Sequence, residues 1–204
     1  MKIFLASGNT KKILEMQRIL AEHVPGIEVL GIADVDGYVE PVEDQPTFAG
    51  NALLKARAGV AATGLPSVAD DSGLCVDALN GMPGVLSARW SGPPKSDQRN
   101  NELLLAQLDD VPDERRGAHF ACAVAWVMPD GRERVVEGRM DGRIIREVRG
   151  SGGFGYDVVF VAVEHDAEDL TSAELEPGEK DRISHRGRAL RALAPQVAAD
   201  LSGD

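Results

Sequence analysis

Cysteine is scarce in this chain of 204 residues: there are two, Cys75 and Cys122, without paired ligand spacing. That excludes a disulfide framework and a cysteine-based zinc site, and both read as small core residues. Positive charge is scarce as well. A formal net charge of −11 argues against a nucleic-acid surface, because phosphate backbones select basic patches, but it does not exclude a pocket for a nucleotide. Long apolar runs are missing too. Ile3 to Ala6 is too short for the hydrophobic region of a signal peptide and no stretch approaches membrane-spanning length, so a soluble cytoplasmic protein without a membrane partner is expected. With no internal repeat and no low-complexity linker, the length fits a single domain, 1–204, or one domain with two lobes.

What is present is unevenly spread. Lys180, Arg182, Arg186, Arg188 and Arg191 crowd one segment of an otherwise acidic chain, an asymmetry that suits a small polyanion. The chain reads as organised around Ser67-Val-Ala-Asp-Asp-Ser-Gly-Leu74, a short apolar run after Pro66 that ends at two carboxylates followed by Ser-Gly. Side chains alternate across a strand, so Asp70 and Asp71 face opposite ways: one toward a ligand or metal, the other toward a loop or helix end. These residues are also common turn formers, and a plain strand-closing turn is the competing reading.

In chain order, Lys2 to Ala6 reads as a strand. Asn9 then caps a helix with Ile13, Met16, Leu20 and Val24 on one stripe. That cap puts Lys11 and Lys12 in the first turn, against the helix dipole, a conflict that a bound phosphate would remove. The segment is not a Walker A loop, because its Gly and Lys spacing is absent. Residues 27 to 31 read as a second strand, followed by an acidic loop with Glu40, Glu43 and Asp44. Thr47 caps a helix to about Ala62, on which Asn51 and Lys55 share a face that is either solvated or near a cleft. Ser96 to Leu108 forms an amphipathic helix with Leu103, Leu104 and Leu108 toward the core. Ala118 to Met128 and Arg132 to Met140 flank Pro129-Asp-Gly131 as a hairpin. Four glycines lie between Gly150 and Asp157, where Phe154 or Tyr156 offers a flat face for a base, although a plain turn before a strand at Val158 to Val161 is the simpler reading of them. Ser184 caps a last helix bearing Leu190, Leu193 and Val197, with His185 and Arg186 in its first turn and Pro195 kinking or ending it. Two helix starts that set cations against the dipole suggest one polyanionic ligand.

Taken together, Ser7-Gly-Asn-Thr-Lys-Lys12, Thr47-Phe-x-x-Asn51, Ala69-Asp-Asp-Ser-Gly73, Gly153-Phe-Gly-Tyr-Asp157 and Ser184-His-Arg186 resemble the inosine triphosphate pyrophosphatase family, in order and over nearly the whole chain. The resemblance implies an α/β fold: an elongated mixed β-sheet flanked by helices, with two lobes and a central active-site cleft. It implies hydrolysis of ITP, dITP and XTP to the monophosphate and pyrophosphate, with Mg2+ as cofactor and a homodimer as the assembly. Asp71 matches the family's catalytic base and magnesium contact, and Glu43 matches a second magnesium ligand. The triphosphate-binding start is matched by Ser7, Gly8, Asn9, Thr10, Lys11 and Lys12, with Lys12 as the equivalent lysine. Ser72, Phe154, Gly155, Tyr156, Asp157, Lys180, His185 and Arg186 match contacts to base and phosphate. Two positions depart from the pattern: Pro46 replaces the glycine usual before Thr-Phe, and Val158 replaces the proline usual after Gly-Tyr-Asp. Two other functions stay open. One is a septum-type pyrophosphatase acting on modified pyrimidine triphosphates, against which Asn9, Lys12 and Ser-His-Arg argue. The other is a nucleotide sensor without turnover, against which the paired aspartates argue.

Overall fold

Strict alternation in the first strand sets the architecture. In β1 (Lys2–Leu5) the buried Ile3 and Leu5 belong to one face, while Phe4 and the following Ala6 belong to the other. A computed structural model of the chain describes residues 1–202, and β1 lies inside a six-stranded sheet of order β2-β1-β3-β4-β5-β6. The partners are β2 (Glu28–Leu30), β3 (Ser67–Val76), β4 (Gly117–Val127), β5 (Glu133–Ile144) and β6 (Phe160–Ala162). β1 runs parallel to β2 and β3, whereas β5 and β6 are antiparallel, so the sheet is mixed. Among the described residues five α-helices accompany it: α1 (Thr10–Ala21), α2 (Phe48–Thr63), α3 (Asp97–Gln107), α4 (Pro177–Ile183) and α5 (His185–Ser202). The fold is therefore α/β, as expected.

The chain divides into two compact units. One comprises Met1–Asp71, Cys122–Glu137 and the residues from Arg188; the other comprises Ser72–Ala121 and Gly138–Gly187. In the first unit, α1 and α5 supply Met16, Ile19, Leu20, Leu190, Leu193 and Val197 to the face of Ile3, Leu5, Val68 and Trp126. Small residues dominate the opposite face, where Ala52 and Ala56 of α2 lie on Ala69, Ala123 and Ala125. The approach is close: a Cβ on Gly59 would stand 2.7 Å from the Phe4 ring. The second unit has its own core, built from Leu74, Leu104, Leu108, Phe120, Met140, Tyr156 and Phe160.

Four helix starts are capped where short polar side chains precede the periodic runs. Asn9, Thr47, Ser96 and Ser184 accept from the amides of Lys11, Gly50, Arg99 and Gly187 respectively. Several expectations are corrected. The strand expected to stop at the aspartates continues to Val76, so Asp-Asp-Ser-Gly is extended ladder rather than a turn. The helix that Pro195 was expected to kink or end continues to Ser202, because burial of Leu193, Ala194 and Val197 outweighs one lost backbone bond. Leu105, and not Leu103, joins Leu104 and Leu108 at the core. Among the described residues no helix is long and apolar enough to cross a membrane.

Candidate active site

Asp70 and Asp71 sit in the middle of β3 but just beyond the end of its parallel neighbour, since β1 pairs Leu5 with Val68 and the last bond of that ladder runs from Ala6 N to Val68 O. Their side chains part as strand alternation requires. Both carboxylate oxygens of Asp70 accept from Lys12 Nζ, at 2.8 and 3.0 Å, on the α1 side. Asp71 Oδ2 accepts from Asn51 Nδ2 at 2.9 Å, on the α2 side. Each carboxylate is thus tied to the first turns of a helix. The cation at the start of α1 is met by a protein carboxylate, which answers the dipole conflict without invoking a ligand.

The phosphate-binding start is folded tightly on itself. Ser7 Oγ accepts from Asn9 N, and Asn9 Oδ1 accepts from the amides of Lys11 and Lys12. Lys12 turns toward Asp70, whereas Gly8, Thr10 and Lys11 are exposed.

The acidic loop before α2 reaches the same unit at three points. Tyr38 lays its ring 5.0 Å from Phe4, and burial, with the charges of Glu40 and Glu43, pushes its hydroxyl up to about 12. Gln45 N donates to Asn51 Oδ1 at 3.0 Å. Glu43 accepts from Lys55 Nζ at 2.5 Å, while Glu40 is exposed, so Glu43 is the acid of this loop that the buried lysine holds. Lys55 is only 6% exposed. Burial pulls its pKa down, but the hydrogen bond to Glu43 and the charges of Glu43, Asp71 and Asp70 more than reverse this, and the net shift is upward.

Asn51 and Lys55, which the sequence left open between a solvated face and one near a cleft, are buried and join the functional candidates. The signal was there: they occupy the same helical stripe as Ala52, Ala56 and Gly59, all buried, so this polar pair had to enter the packed face.

The second unit holds the remaining candidates. Phe154 is 66% exposed and Tyr156 only 4%. The Tyr156 hydroxyl donates to Ser87 O at 2.9 Å, so this ring is an anchor in the core and Phe154 is the one presented. Asp157 accepts from Phe154 N at 2.8 Å and from Lys180 Nζ at 2.5 Å, and Lys180 Nζ stands 5.5 Å from the Phe154 ring centre. Gly153 is required here: its φ is +73°, and a Cβ would come 2.2 Å from Asp157 Oδ2. His185 stacks on Phe120, with ring centres 5.1 Å apart, and Arg186 Nη2 lies 3.5 Å from Ser72 Oγ. Gly155 carries no side chain but its peptide is bonded on both sides.

The chain matches the Ham1 family over residues 3–196. A dITP/XTP pyrophosphatase of Nocardia farcinica is 58% identical to it over 199 residues, covering 97% of this chain and 95% of the relative. The enzyme of that name from Corynebacterium efficiens is 56% identical over 207 residues and the full length of both. Among solved structures, the nucleoside-triphosphatase / dITP/XTP pyrophosphatase of Mycobacterium abscessus aligns with a TM-score of 0.82 at 56% identity, over 97% of this chain and 100% of that one. A HAM1 protein from Coxiella burnetii aligns with a TM-score of 0.87 at 37% identity, over 100% of both chains. Similarity of this depth, end to end in sequence and in fold, carries one conclusion: this chain belongs to the Ham1 family.

Proposed function

We propose that this chain hydrolyses non-canonical purine nucleoside triphosphates, ITP, dITP and XTP, to the nucleoside monophosphate and pyrophosphate, and so cleanses the nucleotide pool. The observation that carries the reading is Asp71, a carboxylate held by the buried Asn51 in the same compact unit as the lysine-bearing helix start at Ser7–Lys12. The full-length likeness to enzymes named for dITP and XTP supports it.

Attack of water on the α-phosphorus needs a group to take the water's proton and positive charge for the departing pyrophosphate. Asp71 is assigned the proton. Lys12 and Lys180 are assigned the leaving charge, and Phe154 is assigned to stack on the base, with His185 and Arg186 reading its edge. Ser7, Asn9 and Ser72 contribute hydroxyl and amide contacts along the triphosphate.

Glu43 and Asp71 suit a hard divalent cation such as Mg2+, being oxygen donors in a region where the buried Lys55 is already stabilised as a cation by Glu43, Asp71 and Asp70. Among the described residues no three His, Cys, Asp or Glu side chains form a ready cage. An ion such as Mg2+ takes one or two carboxylates and completes its shell with substrate phosphates and water. When bound, it neutralises and orients the triphosphate.

The assay is product analysis over common and deaminated triphosphates with magnesium. IMP and pyrophosphate from ITP are expected. IDP with phosphate, or turnover confined to modified pyrimidines, would sink the reading. As a nucleotide-pool enzyme it is assigned to the cytoplasm. A homodimer is inferred from the family, with the Asp130-Gly131 hairpin and the Met82-Pro83 turn as contact regions, and a monomer mass by light scattering at micromolar concentration contradicts it.

A further inference from the structure

Phe154 is a large apolar side chain left 66% exposed, yet the backbone that carries it is gripped on every side. Its own amide donates to Asp157 Oδ2 at 2.8 Å. The two peptide groups that flank the Gly155 α-carbon are each held from α3: Gly155 N donates to Asp97 Oδ2 at 2.7 Å, and Gly155 O accepts from Asn101 Nδ2 at 2.8 Å. One residue further, the Tyr156 hydroxyl is bonded to Ser87 O. We propose that Asp97 and Asn101 are positioning residues for base recognition: by clamping both polar groups of Gly155 they fix where the Phe154 ring stands. The proposal rests on the reading of Phe154 as the base platform.

Spacing makes the two residues one device. Asp97 and Asn101 are four apart and share a face of α3, and Asn101 Nδ2 also donates to Asp97 O, so the donor is itself held at the helix. The Asp97 contact is charge-assisted and short, and a carboxylate in a helix's first turn is favoured by the dipole. α3 in turn is anchored. Ser96 caps it, Asn100 bonds Ser91 N and Ser87 O, and Leu104 and Leu108 are fully buried in the core of this unit. The chain of support therefore runs from the core through α3 to the Gly155 peptide and ends at an exposed ring. An ordinary surface turn needs none of this, since water satisfies its peptide groups. A stacking platform does, because ordering a loop at the moment of binding subtracts from affinity and a pre-ordered ring avoids that loss.

Stacking on the base is present in ground and transition states alike, so loosening the ring is expected to raise KM and spare kcat. For Asp97→Ala, losing a hydrogen bond to a charged group, KM for ITP is expected to rise roughly 10-fold with kcat within about twofold. Asp97→Asn keeps an acceptor for Gly155 N and is expected to restore most of the affinity. The decisive measurement is the cycle with Phe154→Ala. If Asp97 acts through the ring, adding Asp97→Ala to Phe154→Ala changes KM by less than about twofold. A full additional 10-fold rise, or a fall in kcat equal to the rise in KM, overturns the proposal and leaves Asp97 as architecture. Asn101→Ala, run through the same cycle, covers the case in which Asp97→Ala fails to fold. Wild-type turnover of ITP with an unchanged Asp97→Ala variant defeats this inference alone. Absence of wild-type turnover on every deaminated purine triphosphate defeats the functional reading and this inference with it.

Discussion

Asn51 stands between Asp71 and the acidic loop: its Nδ2 donates to Asp71 Oδ2 at 2.9 Å while its Oδ1 accepts from Gln45 N at 3.0 Å. Asn51 is fully buried, so neither bond can be exchanged cheaply for water. One amide therefore fixes the rotamer of the carboxylate assigned as base and the course of the loop that brings Glu43 to Lys55. Loss of Asn51 is felt at both ends.

Asp71→Asn is expected to lower kcat for ITP by roughly 10²–10⁴-fold, the usual worth of a general base, with an unchanged melting temperature. Asn51→Ala leaves the base in place but without this amide donor, and is expected to cost a smaller factor, on the order of 10–100-fold. It should also cost about 1–3 kcal/mol of stability from the two hydrogen bonds it removes. Steady-state kinetics beside denaturant melts separates the two variants. Near-normal turnover by Asp71→Asn removes it from the role of base.

Lys55 gives a pH signature. Its pKa lies above the ordinary value of 10.5, because the bond to Glu43 and the neighbouring carboxylates outweigh burial. A raised folded pKa means that the stabilisation is complete below the unfolded value and is lost as pH climbs through the folded one. Lys55→Met is expected to be less stable by about 3 kcal/mol, the lower end for breaking a buried pair, since Glu43 keeps some access to water. Measured from pH 6 to 9 the difference should be flat, narrowing only above pH 10.5. A difference that already shrinks between pH 7 and 9 contradicts the assignment.

The parts of this molecule that were legible in sequence are those fixed within a few residues. Caps at Asn9, Thr47 and Ser184 follow from a short polar side chain before a periodic run. The turn at Pro129-Asp-Gly131 follows from glycine, whose φ here is +90°. What escaped was decided by distant partners. Asp-Asp-Ser-Gly has the local chemistry of a turn, yet β3 carries it onward as strand. Nothing near Tyr156 says that it, and not Phe154, finds a carbonyl 69 residues away at Ser87. The burial of Lys55 depends on Glu43 in a loop that no periodicity describes. α4 begins with Pro177 at its first turn, a start signal overlooked because the segment is short and rich in charge.

Asp200 offers a stability test away from the candidate site. Its carboxylate is 3% exposed and gathers Trp126 Nε1 at 3.1 Å, Arg134 at 2.7 and 2.8 Å and Arg132 at 3.1 Å, fastening α5 to the β4–β5 hairpin. The hydrogen bond from Arg134, helped by Trp126 and Arg132, holds its pKa below the ordinary 3.8. A depressed folded pKa contributes stability above the unfolded value and loses it as pH falls through the folded one. Asp200→Ala should cost about 1–3 kcal/mol at pH 7, chiefly from the buried indole N–H left without a partner, because both arginines keep access to water. kcat and KM for ITP should not move. The stability gap between wild type and variant should narrow as pH falls below 3.8, where the arginine-dependent part is lost while the protonated carboxyl still accepts from the indole, and a gap that does not narrow there assigns the whole loss to the indole bond and packing.

Metal removal tests the role given to Glu43. Excess chelator is expected to abolish turnover and added Mg2+ to restore it, with Glu43→Gln raising the magnesium concentration needed for half-maximal rate. The same Mg2+ requirement in Glu43→Gln as in wild type would leave Glu43 as the partner of Lys55 and nothing more.

Specificity is the sharpest expectation, because the bases differ by so few groups. Compared with adenine, hypoxanthine and xanthine carry a 6-keto acceptor and a protonated N1 in place of an amino donor and a bare acceptor. A pocket that donates to O6 and accepts from N1–H rejects adenine by leaving its own polar groups unpaired, which is worth factors of about 10⁴–10⁵. Guanine shares the 6-keto edge, so its 2-amino group must supply the penalty. His185, its ring fixed by stacking on Phe120, and Arg186, beside Ser72 Oγ, are the candidate donors to O6, in the same compact unit as the exposed Phe154. ITP, dITP and XTP are therefore expected far above ATP and GTP, with little distinction between ribose and deoxyribose, since no residue here is assigned to the 2′-hydroxyl. Arg186→Ala should cut kcat/KM for ITP strongly while scarcely changing the residual rate on ATP, whose base never satisfied that donor. Equal losses on the two substrates would show that Arg186 holds phosphate or architecture, and that the base edge is read by another group.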